Sequence, residues 1–541
     1  MRFLMTVVFF TMSVSCLADE AIRHYFESLN SGYELPVHGD DLVATEDLKT
    51  FYEEHNYQPA WYSDGKLTSI ATELYLAIET AAIDGLQPAD YHNRALQKLC
   101  PAEQTEDTGY CDLLFTDAFF ILAQHLSTGK VNPKNLTVDW PGEERRKDLV
   151  SLLNDALAEN TIKNVLASLR PDQLGYERLT AILKRLRVAT RYPEWSPLAL
   201  SPPIEPPPIQ PPSPALQPGQ TDERLAAIIE RLVFWGDMQA PSTPIDHYDE
   251  VLQQAVQRFQ RRHGLKDDGV IGDTTLAAFN VDPTQRAQQI IANMERRRWL
   301  PKELGNKHLR VNIAELKLLA IKHNQAIFTQ PITLGRHYQH QPVFSGKIRY
   351  LVLNPDWTVP LELAVKELLP KLKSDPQSLV PLGFSIFADG TQVAPETIDW
   401  TQVNPKNFGY RLVQAPGPRN AMGEVKFAFP SEYTVYLHGS PTENLFQDSQ
   451  QGFSAGSIRV DAPLELAAWL LEDAARPKER LEAMVSTGKT ETIYPLSPIP
   501  VHIEYRTAWV NSQGVLNFRE DIYQRDQRLY ERLMKSIPST P

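Results

Sequence analysis

The sequence predicts a multidomain α+β protein: a helical scaffold domain, a proline-rich linker, a compact three-helix domain, and a β-rich domain carrying a helical insertion. Three observations carry this reading. Hydrophobic periodicity is helical from Asp19 to about Pro193, ten prolines crowd into residues 197–218, and from residue 283 onward the pattern turns to short β-type runs bounded by Pro, Gly and Asn. The 541 residues, 42% of them hydrophobic and 22% charged, are too many for one hydrophobic core. Three cysteines and 26 glycines exclude a disulfide-stapled miniprotein and a collagen-like chain. Lys and Arg number 54 against 67 Asp and Glu, a net charge of −13 without a basic tail, so nucleic acid and anionic lipid are poor partners.

Residues 1–18 carry Arg2, about a dozen mostly apolar residues and then small residues, the pattern of an export signal with cleavage expected after Ala18. The apolar run is shorter than the ~20 residues that span a bilayer, so no integral membrane segment is expected and the exported chain should lie in the periplasm. Lipidation at Cys16 is the alternative, disfavoured because Ser13 sits where a branched apolar residue is preferred. Removing the signal leaves 53 − 67 = −14.

Residues 19–196 form the helical scaffold domain, with amphipathic stretches such as Asp112 to Ser127 and Tyr176 to Arg191. Two signatures, Phe51 to Tyr62 and Asp84 to His92, read as packing rather than chemistry. Cys100 and Cys111, eleven apart and exported, predict a disulfide worth about 3 kcal/mol. Residues 197–220 are a proline-rich linker in extended conformation. Residues 221–282 form three helices around Val256, Phe259, Leu265, Ile271, Leu276 and Phe279, with Asp268-Gly269 and Gly272 making the turn between two of them. Residues 283–510 are the β-rich domain, with a Pro-punctuated helical insertion at about 360–410 placed as lids often are. Residues 511–541 are a C-terminal helical segment.

Residues Ala255 to Thr275 resemble the peptidoglycan-binding domain with the signature AV-x-x-FQ-x-x-x-GL-x-x-DG-x-x-G-x-x-T. The stretch Tyr436 to Val460 places His438-Gly439 nineteen residues before Ser457, with Arg459 two beyond. It resembles the catalytic domain of L,D-transpeptidases, whose pattern is His-Gly followed within twenty residues by Ser/Thr-x-Gly-Cys-x-Arg. The flanks Asn293 to Pro301, Asn354 to Pro360 and Gln414 to Pro430, and the order of the domains, match the large scaffold-bearing periplasmic type.

The resemblance implies acyl transfer on peptidoglycan: the nucleophile attacks the diamino acid of a stem peptide, terminal D-Ala leaves, and a second stem's amine closes a 3→3 cross-link. Ser457, His438 and Gly439 take the catalytic positions; Arg459, Gly456 and Tyr436 take substrate-binding ones, with backbone N–H groups at Gly456 and Ser457 as oxyanion donors. It implies no cofactor and no metal. The partners it implies are peptidoglycan stem peptides and glycan, with cell-wall synthesis proteins as a further class.

The chain departs from the family at the nucleophile itself. Ser457 stands where the family has cysteine, and Ala455 where it has His or Ser. A thiol of pKa ~8.5 is readily held as thiolate, whereas a hydroxyl must give its proton to a positioned base during attack. The family's orienting group, here the Gly439 carbonyl, supplies no full charge, so a serine version should be slow unless Asp461, Glu443 or Asp448 folds into reach. Three readings stay open: a serine transpeptidase, a wall-binding scaffold without turnover, and a serine substituted into a naturally cysteine-bearing enzyme.

Other chemistries fit less well. The S-x-x-K stretches at Ser127 and Ser486 lack their companion motifs, His337 and His340 stand without clustered carboxylates, HExxH is absent, and neither a G-x-S-x-G elbow nor a phosphate-cradling loop occurs.

Overall fold

The computed structural model describes residues 14–33, 36–63, 65–100, 108–133, 148–171, 174–188, 195–198, 215–334, 343–430, 435–441 and 457–536. The chain divides into two compact units, one running through Trp299 and resuming at Thr507, the other built on Leu300–Arg506. The first unit therefore takes in residues 283–299 and 507–510, which the sequence assigned to the β-rich domain, together with the C-terminal segment.

In the first unit, helices α1 (Val14–Asn30), α2 (Thr45–Glu54), α3 (Ser69–Thr80), α4 (Asn93–Leu99), α6 (Leu149–Glu159) and α7 (Ile162–Leu169) pack around α5 (Thr108–Thr128), with a small hairpin β1 (Tyr62–Ser63) and β2 (Lys66–Leu67). The cleavage point expected after Ala18 falls within α1. Cys100 and Cys111 are joined.

The sequence reading of α5 as amphipathic is corrected, since the helix is buried nearly all round. The polar residues that gave it a false solvent face are hydrogen-bonded inside, which is what lets them be buried. Asp112 accepts from Tyr52 Oη (2.7 Å) and from the backbone N–H of Ala60 and Trp61 (2.9 and 2.8 Å). Thr116 accepts from Trp61 Nε1 at 2.8 Å. The Phe51–Tyr62 signature is thus the set of partners that satisfies α5.

Asp117 does the same for the other signature. It accepts from the backbone N–H of Val43 and Ala44 (3.1 and 2.7 Å) and lies 2.7 Å from His92 Nε2, while His92 Nδ1 lies 2.9 Å from Asp40. Facing a carboxylate at each nitrogen, the ring carries both protons. Burial alone would depress its pKa, but the two carboxylates more than offset this and lift it to about 9.

Beyond these, α8 (Leu174–Val188) and α12 (Pro283–Trp299) pack on each other and on α17 (Arg525–Leu533) and the hairpin β17 (Ala508–Val510)–β18 (Leu516–Phe518). The α12 signature residues are buried partners: Glu295 accepts from Val131 N at 2.7 Å and from Arg298 at 2.6 Å, Arg298 also reaches Asp84 O and Tyr176, and Asn293 donates to Thr507 Oγ1 at 2.6 Å.

The three-helix domain comprises α9 (Leu225–Trp235), α10 (Glu250–His263) and α11 (Asp273–Asn280). Val256, Phe259, Ile271, Leu276 and Phe279 are in its core as expected; Leu265 is only half-buried. Gly269 has φ +75°, a conformation that costs glycine little. The buried Gln260 holds this turn, accepting from Gly269 N (2.8 Å) and donating to Val270 O (2.9 Å) and Thr275 Oγ1 (3.2 Å). Gln and Thr of the signature are thus one polar clip.

In the second unit a ten-stranded sheet runs in the order β15 (Glu491–Ile493), β7 (Tyr350–Leu353), β12 (Val425–Ala428), β13 (Leu437–His438), β14 (Ile458–Val460), β5 (Gln325–Leu334), β4 (Lys317–Lys322), β3 (Lys307–Asn312), β16 (Ile499–Glu504), β6 (Phe344–Ile348). Among the described residues, β13–β14 and β3–β16 are the parallel pairs and the others are antiparallel. Strand β5 pairs with β4 along its first part and with β14 along its last three residues, so one long strand joins the two halves of the sheet. The β4–β5 turn is His323-Asn324, both at positive φ, as a two-residue hairpin requires. Helices α15 (Pro463–Leu471) and α16 (Lys478–Ser486) follow β14.

The insertion is helical over its first part, α13 (Leu361–Leu363), a π turn (Ala364–Leu368) and α14 (Leu369–Ser374). It then adds strands the sequence reading did not assign. β9 (Phe384–Ala388), β10 (Thr391–Val393) and β11 (Tyr410–Gln414) join β8 (Trp357–Thr358) in a separate four-stranded sheet over their own core of Leu363, Leu372, Ile386, Trp400 and Leu412.

The raised His92 pKa yields a pH dependence. Its stabilisation is fully present below the unfolded value near 6.5 and is lost as pH rises through about 9, on the order of 3 kcal/mol in all. Thermal unfolding of the full chain followed from pH 6 to 10 should fall across this window, and His92→Gln should lower stability at pH 6 and flatten the fall. A variant whose profile overlays wild type would contradict the clamp.

Candidate active site

Strands β12, β13 and β14 lie side by side, and their register brings the predicted residues together. Lys426 is opposite His438 across β12–β13, and His438 is opposite Arg459 across β13–β14. Directly paired residues project to one face of a sheet, and residues two apart on a strand share it. Lys426, His438 and Arg459 therefore form a row, with Ser457 beside it. The register is pinned by Gly439 N donating to Val425 O (2.9 Å) and Ile458 N donating to Tyr436 O (3.0 Å).

His438 is fully buried, and Ser457 is 3% exposed. Ser457 Oγ lies 2.9 Å from His438 Nε2, and His438 Nδ1 lies 2.6 Å from the Gly439 carbonyl. A carbonyl only accepts, so Nδ1 carries the proton, Nε2 is free, and the serine hydroxyl donates to it. Burial first, then the Arg459 guanidinium, push His438 down to about 3, with Lys426 acting in the same direction. The imidazole is therefore neutral across the ordinary pH range, which is the form a general base needs. No described carboxylate hydrogen-bonds to it; Asp461, the described one of the three acids considered, instead uses its backbone N–H on Pro331 O.

Arg459 is 4% exposed and its Nε has no partner among the described residues. Tyr436 is half-buried beneath Lys426, whose Nζ sits 4.1 Å from the ring centroid. Gly456, Ala455, Glu443 and Asp448 lie outside the described residues, as do His337 and His340. The S-x-x-K stretches are helix ends: Ser127 Oγ donates to Gln124 O, and Lys130 Nζ to Asp90 and the carbonyls of Leu533 and Lys535. Among the described residues, the potential metal ligands that come together are His38, Cys100 and Cys111, and the two sulfurs are bonded to each other.

Sequence reasoning missed two residues here. One is Lys426. The other is Gly423, at φ +65°, where a Cβ would come within 2.5 Å of the Gly439 carbonyl carbon. Only glycine lets this loop close on the His-Gly backbone. Both sit in the flank Gln414 to Pro430, where a glycine three residues before a strand lysine was the available signal.

Comparison with known proteins bears on the kind of domain that holds these residues. The profile of the "L,D-transpeptidase catalytic domain" matches residues 306–499. The chain carries an L,D-transpeptidase catalytic domain. The "Scaffold domain" profile matches residues 46–183, and that of a "Putative peptidoglycan binding domain" matches 221–279. A curated protein of Haemophilus influenzae described as "Putative L,D-transpeptidase" is 32% identical over 243 residues, 45% of this chain and 49% of that protein. The chain thus spans about half the length of the curated relative it matches. A solved L,D-transpeptidase (residues 123–326) from Xylanimonas cellulosilytica aligns with 55% of this chain and 100% of its own at 15% identity and a TM-score of 0.16. No described helix is long and apolar enough to cross a membrane.

The site geometry predicts the state of His438. Nitrogen-resolved NMR of ring-labelled protein should find the Nδ1–H tautomer and no titration of this ring between pH 5 and 8. A transition near 6.5 would contradict the buried row of charges.

Proposed function

We propose that the chain performs peptidoglycan L,D-transpeptidase-type acyl transfer in the periplasm, forming 3→3 cross-links between stem peptides during cell-wall maturation, with Ser457 as nucleophile. The observation that carries this is the hydrogen-bonded chain Ser457 Oγ, His438 Nε2, His438 Nδ1, Gly439 O. Ser457 Oγ attacks the carbonyl of the stem's diamino acid while its proton passes to His438 Nε2. Collapse breaks the bond to terminal D-Ala, which leaves with that proton as a free amine. The resulting ester is attacked by the amine of a second stem, His438 again taking and returning the proton, and Ser457 is regenerated. Arg459, Gly456 and Tyr436 are the stem-binding residues, and the domain at 221–282 keeps the enzyme on the wall, with cell-wall synthesis proteins as its further partners.

One observation favours slow turnover and, at the limit, a wall-binding protein without catalysis. The base at His438 has no carboxylate partner among the described residues and two cations beside it, so accepting a proton there is costly. A thiol would need less help. Ser457→Cys should therefore raise 3→3 dimer formation from tetrapeptide-stem muropeptides at neutral pH by at least ~10-fold, measured by mass spectrometry of the products. Equal or lower dimer formation by a folded cysteine variant would count against the assigned nucleophile position.

A further inference from the structure

The row Lys426, His438, Arg459 is unusual as sheet chemistry. Like charges directly across strands destabilise one another, and here a lysine and an arginine flank a buried histidine from either side. Among the described residues neither cation has a carboxylate within ion-pair distance, and the buried Arg459 Nε has no hydrogen-bond partner. Among the described residues the exposed Asp356 acts on Lys426, without being in ion-pair contact with it. The lysine is held in place by the Tyr436 ring at 4.1 Å, an interaction that fixes its position without neutralising its charge. Buried and half-buried cations without counter-ions are costly in an empty site and favourable once an anion enters.

We propose that Lys426 is a specificity-determining residue that, with Arg459, binds a carboxylate of the donor stem peptide beside the Ser457–His438 pair. This rests on the transpeptidase reading above. The stem offers two carboxylates near the reacting carbonyl, the terminal one on D-Ala and the side-chain one on a dicarboxylic diamino acid, and both present the same chemistry to a Lys–Arg pair. A carboxylate between the two cations would also relieve their repulsion across His438, making proton acceptance by the imidazole easier only when the correct stem is bound. Burial holds the Lys426 ammonium below its usual range, and the charge of Asp356 opposes this only in part.

The test is calorimetric binding of three synthetic tetrapeptide stems to the full chain: the free acid, the stem amidated at the terminal carboxylate, and the stem amidated on the diamino acid side chain. One of the two amidations should weaken binding to wild type by about tenfold, and which one identifies the carboxylate. Lys426→Met should bind the free acid about tenfold more weakly and no longer discriminate against that amidated stem, while Lys426→Arg should keep the discrimination. Binding of all three stems equally by wild type, a comparison needing no variant, overturns the inference and leaves the transpeptidase reading standing. A folded Lys426→Met, with unchanged circular dichroism and melting, that still discriminates overturns it too. Failure of wild type to bind the free-acid stem at all overturns both.

Discussion

The short parallel pairing of β13 with β14 is the constraint on which the site depends. Two paired residues on each strand, Leu437 with Ile458 and His438 with Arg459, fix the distance from the imidazole to Ser457 across nineteen residues of sequence. A slip of one residue would turn His438 to the opposite face and dissolve the row. The neighbours prevent it: Lys426 and Phe427 hold β13 from one side, Thr333 and Ile332 hold β14 from the other, and Gly423 permits the tight approach of backbone to Gly439. The chemical consequence is a neutral imidazole with a fixed tautomer, in a setting that stabilises negative charge and penalises positive charge. That setting suits a thiolate and strains a serine mechanism, unless the substrate itself brings the missing anion.

The first unit is organised by a different rule. Its helices carry buried polar groups satisfied by partners distant in sequence, such as Asp112 with Tyr52 and Trp61, Asp117 with His92, and Glu295 with Val131. Paired buried groups add specificity of arrangement more than net stability, because each incurs desolvation. The same rule gives the three-helix domain its Gln260 clip.

Much of this was legible in the sequence. The His-Gly to Ser-x-Arg spacing pointed to residues that the structure brings together, because they lie within one short stretch, and the expected domain order came from period changes and prolines. Lys426 was not legible, since its meaning comes from a cross-strand register with a strand twelve residues on. Helix α5 misled because Asp112, Thr116 and Asp117 read as solvent-facing until their partners are known. The strands of the insertion were passed over although FSIFADGTQV carries an Asp-Gly turn between alternating runs, with Asp389 and Gly390 both at positive φ. The assignment of 283–299 and of the C-terminal stretch to the first unit rests on contacts such as Asn293 with Thr507, which no local pattern announces.

If Ser457 is the nucleophile and His438 its base, a covalent acyl intermediate must form on the serine. The direct measurement is intact-mass and peptide-mapping mass spectrometry of wild type and His438→Ala after incubation with a tetrapeptide stem, alongside stem binding by both. Wild type should carry an adduct on Ser457 of the stem less its terminal D-Ala, and the variant should carry none although it still binds the stem. Wild type that binds the stem yet yields neither adduct nor product after long incubation would contradict this chemistry and leave a wall-binding protein.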